Sequence, residues 1–388
     1  MYFCAAIVCR FILPQTGGVK VRLEVSYEPR TIFNERIKKN HDTILHLDDF
    51  LIYSQGNEET FSQLTSENIA EAEALVLTTE GMSRLNSHVF EKIPDYIKIL
   101  SNRFEFIYIN NPPNILLKSL EILENIEYKE PFHYRNIGEN QIKNLAESFD
   151  DEIIGQKIAK RSILRSLVKM QWRKKTKKPL VLMFYGKPGI GKTETAKFLA
   201  KKLYGGIFVR EQMSMASNEN SMGYYKSTKH TEASFSKALM NRTSNLILLD
   251  EFALAHPLIQ TAFFQLFDEG IYTDSNYTVD MRNSIIICTS NLLSIEEMHQ
   301  QMDGALLSRF DAFIPFKPFT SAEKELIIKK ILEDLKKEVS KKYFKNIDWI
   351  EVEKELITKV STFTNMRNIK NYVEDYLSEQ VLQSILNL

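Results

Sequence analysis

The stretch Gly186-Lys187-Pro188-Gly189-Ile190-Gly191-Lys192-Thr193 constrains this chain more than any other. It reads G-x-x-x-x-G-K-T, a spacing that binds phosphate when it lies between a strand and a helix. Both neighbours are predicted: the apolar run Leu180 to Tyr185 reads as a buried strand, and Glu194 to Leu203 as a helix. The glycines let backbone N–H groups turn inward on phosphate, and the helix N-terminus adds partial positive charge. Lys192 supplies a point charge for the outer phosphates, and the Thr193 hydroxyl can hold Mg²⁺.

Two carboxylates complete the pattern. Leu246 to Leu249 is a continuous apolar run that ends in Asp250-Glu251. Such a run reads as a parallel strand buried on both faces, and its C-terminal end belongs beside the phosphate loop. Asp250 is expected in the Mg²⁺ shell and Glu251 as the base that polarises water. A third strand, Ser284 to Cys288, leads to Asn291, a candidate donor to that water or to the outer phosphate. Arg309, just before a short strand at Phe313 to Phe316, is a candidate cation for its own nucleotide or a neighbour's.

A chain of 388 residues has room for two or three domains. Lys+Arg and Asp+Glu both number 50, so net charge makes no case for nucleic acid or an anionic membrane. Three cysteines without metal-ligand spacing suit a reducing compartment. Met1 to Pro14 is too short to span a bilayer and reads as a buried strand.

The first 140 residues alternate strand and helix patterns, as a small α/β domain does. Strands are expected at Val19–Tyr27, Thr43–Leu47, Phe50–Tyr53, Ala74–Thr78 and Phe104–Ile109, with helices over Met82–Ser101 and Leu116–Ile126. Asp48 and Asp49 are read as strand neighbours on opposite faces, and His41, His46 and His88 as core or solvated residues. Glu130 to Gly138 reads as a linker. The basic run Arg173 to Lys178 reads as a solvated face, with a nucleic-acid or partner patch as the alternative.

Leu248 to Pro257, Phe264 to Gly270 and Thr289-Ser290-Asn291-Leu292, with Ile154-Gly155-Gln156 upstream, resemble the AAA+ module of Clp-type chaperone ATPases, above all the second ring of ClpB-like members. The resemblance covers residues 145–388. It implies a P-loop core with a parallel sheet and a C-terminal helical lid, beside a separate N-terminal α/β domain. The expected boundaries are 1–138, 139–318 and 319–388. Lys192 and Thr193 match the Walker A pair, with Glu194 next in the loop's match, and Asp250 and Glu251 match the Walker B pair. Asn291 matches sensor 1, Arg309 an arginine finger acting on a neighbour, and Arg367 the sensor 2 of the lid. Ile154 and Gly155 match the segment against adenine. ATP, Mg²⁺ and a homo-oligomeric, hexameric ring in the cytoplasm are implied.

The sequence departs from that family in three places. Asn365-Met366 stands where the family has Gly-Ala before its sensor arginine, and the chain ends soon after, so a terminal lid strand is expected to be missing. Ile327, Ile328, Ile331 and Leu335 recur at helical spacing in the expected lid. The aromatic pore loop is shortened: one register puts Tyr224 in the pore, with Tyr225 beside it, and another puts Ser221 there. No Ile-Gly-Phe or Ile-Gly-Leu tripeptide of the kind that docks a ClpP-like peptidase occurs. Three readings follow: a protein-remodelling ATPase acting on a protein client, a nucleotide-gated assembly ATPase, and a nucleic-acid motor resting only on the basic run.

Overall fold

The computed structural model describes residues 21–50, 72–172, 178–338 and 347–386. The expected strand at Met1–Pro14, most of that at Phe50–Tyr53, and Arg173 to Thr176 of the basic run with Lys177 lie outside them. The chain divides into two compact units.

One unit contains a five-stranded, wholly parallel sheet ordered β2-β3-β4-β1-β5, with β1 Arg22–Ser26, β2 Ile44–His46, β3 Ala74–Leu77, β4 Phe106–Asn110 and β5 Ile126–Tyr128. Its core joins Leu23, Val25, Leu75, Leu77, Ile107 and Ile109 to Phe90, Ile93 and Ile97 of the helix Val89–Leu100. Two corrections to the sequence reading arise here. The helix expected to reach Ile126 stops at Leu120, and Ile126 itself opens an edge strand. Phe50 closes a helical turn, Leu47–Phe50, so Asp48 and Asp49 are not strand neighbours. Asp48 is buried and accepts hydrogen bonds from Arg30 (2.7 Å) and Thr78 (2.9 Å). His41 is buried against Tyr108 at 2.8 Å, as a core histidine should be.

The same unit takes in Asn218–Asn245 and Glu269–Arg282. The His230 ring meets the Leu85 carbonyl at 2.7 Å, Lys237 Nζ donates to Ser83 Oγ at 2.7 Å, and the Asn114 amide donates to the Asn276 carbonyl at 2.7 Å. Arg242, buried, lies over the Tyr134 ring at 4.1 Å.

The other unit is built on a second parallel sheet: β6 Leu180–Tyr185, β7 Val209–Gln212, β8 Leu246–Asp250, then β11 Ile285–Ser290 and β12 Ala312–Pro315, the hairpin β9 Ile271–Thr273 and β10 Thr278–Asp280 intervening in the chain. The strand order is β12-β6-β11-β8-β7. The three central strands are buried almost throughout, which explains their unbroken apolar runs. Helix Lys192–Tyr204 follows β6 and is stopped by Gly205 at φ 69°, after which the Gly206 amide returns to the Ala200 carbonyl at 3.0 Å. Helices Ser321–Glu338, Trp349–Thr358 and Met366–Leu386 pack Ile327, Ile328, Ile331, Leu356, Ile369 and Val373 into the same core, with Leu335 partly buried beside them.

Candidate nucleotide site

Register brings the chemistry together. β11 pairs Ser290 with Tyr185 of β6 and Cys288 with Leu249 of β8. The C-terminal ends of all three strands therefore fall at one edge, which carries the glycine loop, Asp250-Glu251 and Asn291. In the loop, Gly186, Gly189 and Gly191 have φ of 131°, 72° and 100°, a region side chains rarely adopt. A Cβ built on Gly191 would meet nothing within 4 Å.

Lys192 is buried, and its Nζ donates to the carbonyls of Gly186 (2.6 Å) and Lys187 (2.8 Å) and to Asn291 Oδ1 (3.0 Å). Burial pushes its pKa down to about 8, against a smaller opposite pull from Asp250 and Glu251. Thr193 Oγ1 donates to Asp250 at 3.1 Å, and Asp250 also accepts from Thr289 Oγ1 at 2.6 Å. A hydroxyl beside a carboxylate fits Mg²⁺, which prefers hard oxygen donors and shares its shell with phosphate.

Glu251 lies just past the strand at φ 57°, left-handed for a non-glycine residue. Its amide donates to Thr289 Oγ1 at 2.8 Å and its carboxylate accepts from Gln212 Nε2 at 2.6 Å. Strain of this kind collects at functional sites.

A cleft of about 90 Å³ adjoins the loop, lined by Ile153, Ile154, Ile190, Phe319, Ile331 and Met366 among others. It suits a flat heteroaromatic base. Glu194 lines it and pairs with Lys197 at 2.8 Å. Gly155, at φ 76°, faces the Glu323 carboxylate. Gln156 ties this segment to the Ile190 carbonyl (3.3 Å) and to Lys317. The Met366 amide donates to the Gly189 carbonyl at 2.8 Å, so the start of the last helix touches the phosphate loop. Arg367, next along, is exposed.

Arg309, Tyr224 and Tyr225, named from the sequence, stand apart from this cluster's hydrogen bonds. Arg309 donates to Asp268 at 2.7 Å and lies over the Phe264 ring at 4.6 Å. In the other unit, Tyr225 is only 4% exposed, packs on Phe235, and accepts from the Tyr272 hydroxyl through its carbonyl. Tyr225 is thus a packing residue, which corrects its reading as a client-facing one; Tyr224 is half-buried.

Arg210 and Gln212 were not singled out in the sequence. Arg210 reaches Asp250 Oδ2 at 2.6 Å. Both sit on β7, whose Val-Arg-Glu-Gln has no apolar run to mark it as a strand; their alternation on one face is the only signal.

A family model described as AAA domain (Cdc48 subfamily) matches residues 177–347. Chaperone protein ClpB of Aquifex aeolicus (strain VF5) is 28% identical over 313 residues, 69% of this chain and 29% of its own length. ClpB of Clostridium tetani (strain Massachusetts / E88) is 28% identical over 330 residues, 73% of this chain and 37% of its own. The chain thus spans about a third of the length of these relatives. A cryo-EM reconstruction described as closed-state Hsp104 with ATPγS and FITC casein superposes with a TM-score of 0.56 at 14% identity, covering 94% of this chain and 89% of that one. That likeness concerns fold. The matched AAA segment and the ClpB relatives are what this chain is similar to in sequence.

Proposed function

We propose that this chain hydrolyses ATP within a homo-oligomeric, hexameric ring and uses the energy to remodel protein clients, without a ClpP-like peptidase partner. The observation that carries the reading is the hydrogen-bonded meeting of Lys192 with Asn291 and of Thr193 with Asp250, with Glu251 tied to the same Thr289 as Asp250. Lys192 and the loop amides hold the phosphates. Thr193 and Asp250 hold Mg²⁺, which when bound neutralises phosphate charge as a Lewis acid. Glu251 orients the attacking water and takes its proton, and Asn291 holds the water or the outer phosphate in line. Ile154 and Gly155 sit against the base, and Arg367 closes over the nucleotide from the lid. Arg309 completes a neighbour's site on assembly by exchanging Asp268 for phosphate.

Residues 1–138 select the client, 139–318 form the large ATPase domain and 319–388 the lid, in a cytoplasmic protein without nucleic-acid or membrane partners. Among the described residues no helix is long and apolar enough to cross a membrane. A second reading, a nucleotide-gated assembly ATPase, draws support from one observation: Tyr225 is buried and its segment belongs to the first unit.

ATPase rates of the unaltered chain and Tyr224→Ala, alone, with an unfolded protein and with DNA, separate the readings. Remodelling predicts stimulation by unfolded protein that Tyr224→Ala abolishes. ATP turnover indifferent to every polymer favours the gated assembly and ends the remodelling reading.

A further inference from the structure

The Asp250 carboxylate already has a cation. It is buried, and an unpaired buried carboxylate is costly. Lys192 does not fill that role by hydrogen bonding, since its ammonium is held by two carbonyls and Asn291. Arg210 fills it: its Nη2 lies 2.6 Å from Asp250 Oδ2, with the arginine side chain 44% exposed and the aspartate's only 7%. Thr193 and Thr289 donate to the same carboxylate, chiefly to Oδ1. A metal drawing on Oδ2 would meet a guanidinium already there.

The same Nη2 lies 3.3 Å from Gln212 Oε1, and Gln212 Nε2 donates to Glu251 Oε2 at 2.6 Å and to Ser214 Oγ at 3.0 Å. An unbroken polar chain, Asp250–Arg210–Gln212–Glu251, therefore links the metal-binding carboxylate to the base. One end lies in the buried pocket. Its middle member can swing into solvent, because Arg210 sits on an edge strand.

We infer that Arg210 is a built-in counter-ion for Asp250 that Mg²⁺ displaces when nucleotide binds. This rests on the ATPase reading above. Arg210 and Gln212 are positioning residues: neither touches the reacting atoms.

The test is binding of a fluorescent, non-hydrolysable ATP analogue across a Mg²⁺ titration from micromolar to millimolar. Removing a competing cation lets Mg²⁺ bind more readily, so Arg210→Gln should lower the Mg²⁺ midpoint at least threefold. Arg210→Lys, which keeps the charge, should stay near the unaltered midpoint. A merely structural role would weaken binding at every Mg²⁺ concentration and leave the midpoint in place; that outcome, or a raised midpoint, overturns the inference. A second readout needs no variant: the Arg210 Nε–H NMR signal should move when Mg²⁺ is added to nucleotide-loaded protein, and a stationary signal counts equally against it. A chain that binds no nucleotide at any Mg²⁺ concentration overturns the ATPase reading with this one, whereas binding with an unmoved midpoint overturns this one alone.

Discussion

Both units of this protein are built on a five-stranded parallel sheet, and both gather polar residues where the strands end. In the first, Asp48, Thr78, Asn110 and Asn111 are buried and satisfied by one another and by nearby backbone: Thr78 donates to Asp48, and both asparagines donate to the Glu28 carbonyl. In the second, the strand ends carry a glycine loop and a lysine held by neutral oxygens. Parallel topology delivers polar groups to one edge in both cases. What separates a site from a brace is whether those groups are finished internally. A carboxylate saturated by its own chain adds stability, while a lysine that meets only carbonyls and an amide retains affinity for an anion.

Variants can break this contrast. Glu251→Gln should cut turnover by about 10²–10⁴ while nucleotide binding survives, as expected for loss of a general base; steady-state rates beside equilibrium binding decide it, and near-normal turnover refutes the assignment. Lys192→Ala should weaken nucleotide binding by about a hundredfold, since removing one partner of a close charge pair costs about 2–5 kcal/mol. Thermal melting should change little by comparison.

The lysine also sharpens the contrast through pH. Its pKa lies near 8, so the empty pocket loses its cation as pH rises through that value. Nucleotide affinity measured in EDTA should then fall by up to about tenfold per pH unit above 8, and Lys192→Ala should flatten the profile. The folding contribution has the opposite slope: the unfolded chain holds the proton up to about 10.5, so the penalty for burying this lysine fades and stability rises as pH climbs from 8 to 10.5.

The smallest effect on chemistry is expected in the first sheet. Asp48→Ala strands Arg30 and Thr78 and should cost about 1–3 kcal/mol of stability with nucleotide affinity unchanged. If that variant stays folded yet loses nucleotide, the two edges are not separate in function.

The sequence made the second sheet legible because its central strands are covered on both faces. Leu180–Tyr185, Leu246–Asp250 and Ile285–Ser290 must be apolar there, and each announces itself. Edge strands have no such obligation. Ile126–Tyr128 and Val209–Gln212 are short and half-exposed, so no apolar run marks either one. The second of these carries Arg210 and Gln212, so the missed strand hid two of the residues around Asp250 and Glu251. The glycine loop and Asp250-Glu251 were legible because their spacing is tied to their chemistry. Two partners of Asp250, Arg210 and Thr289, were not, since they come from β7 and β11 and only register unites them.

The first unit is discontinuous in the chain: residues up to Arg135 are joined by Asn218–Asn245 and Glu269–Arg282. During synthesis, then, the first sheet emerges early but waits for its partners. Leu85 meets His230, Ser83 meets Lys237 and Asn114 meets Asn276 only after β6 and β7 have left the ribosome. Completion of the first body is thus tied to translation of about half of the second, and a fragment ending at residue 138 would lack contacts that the full chain supplies.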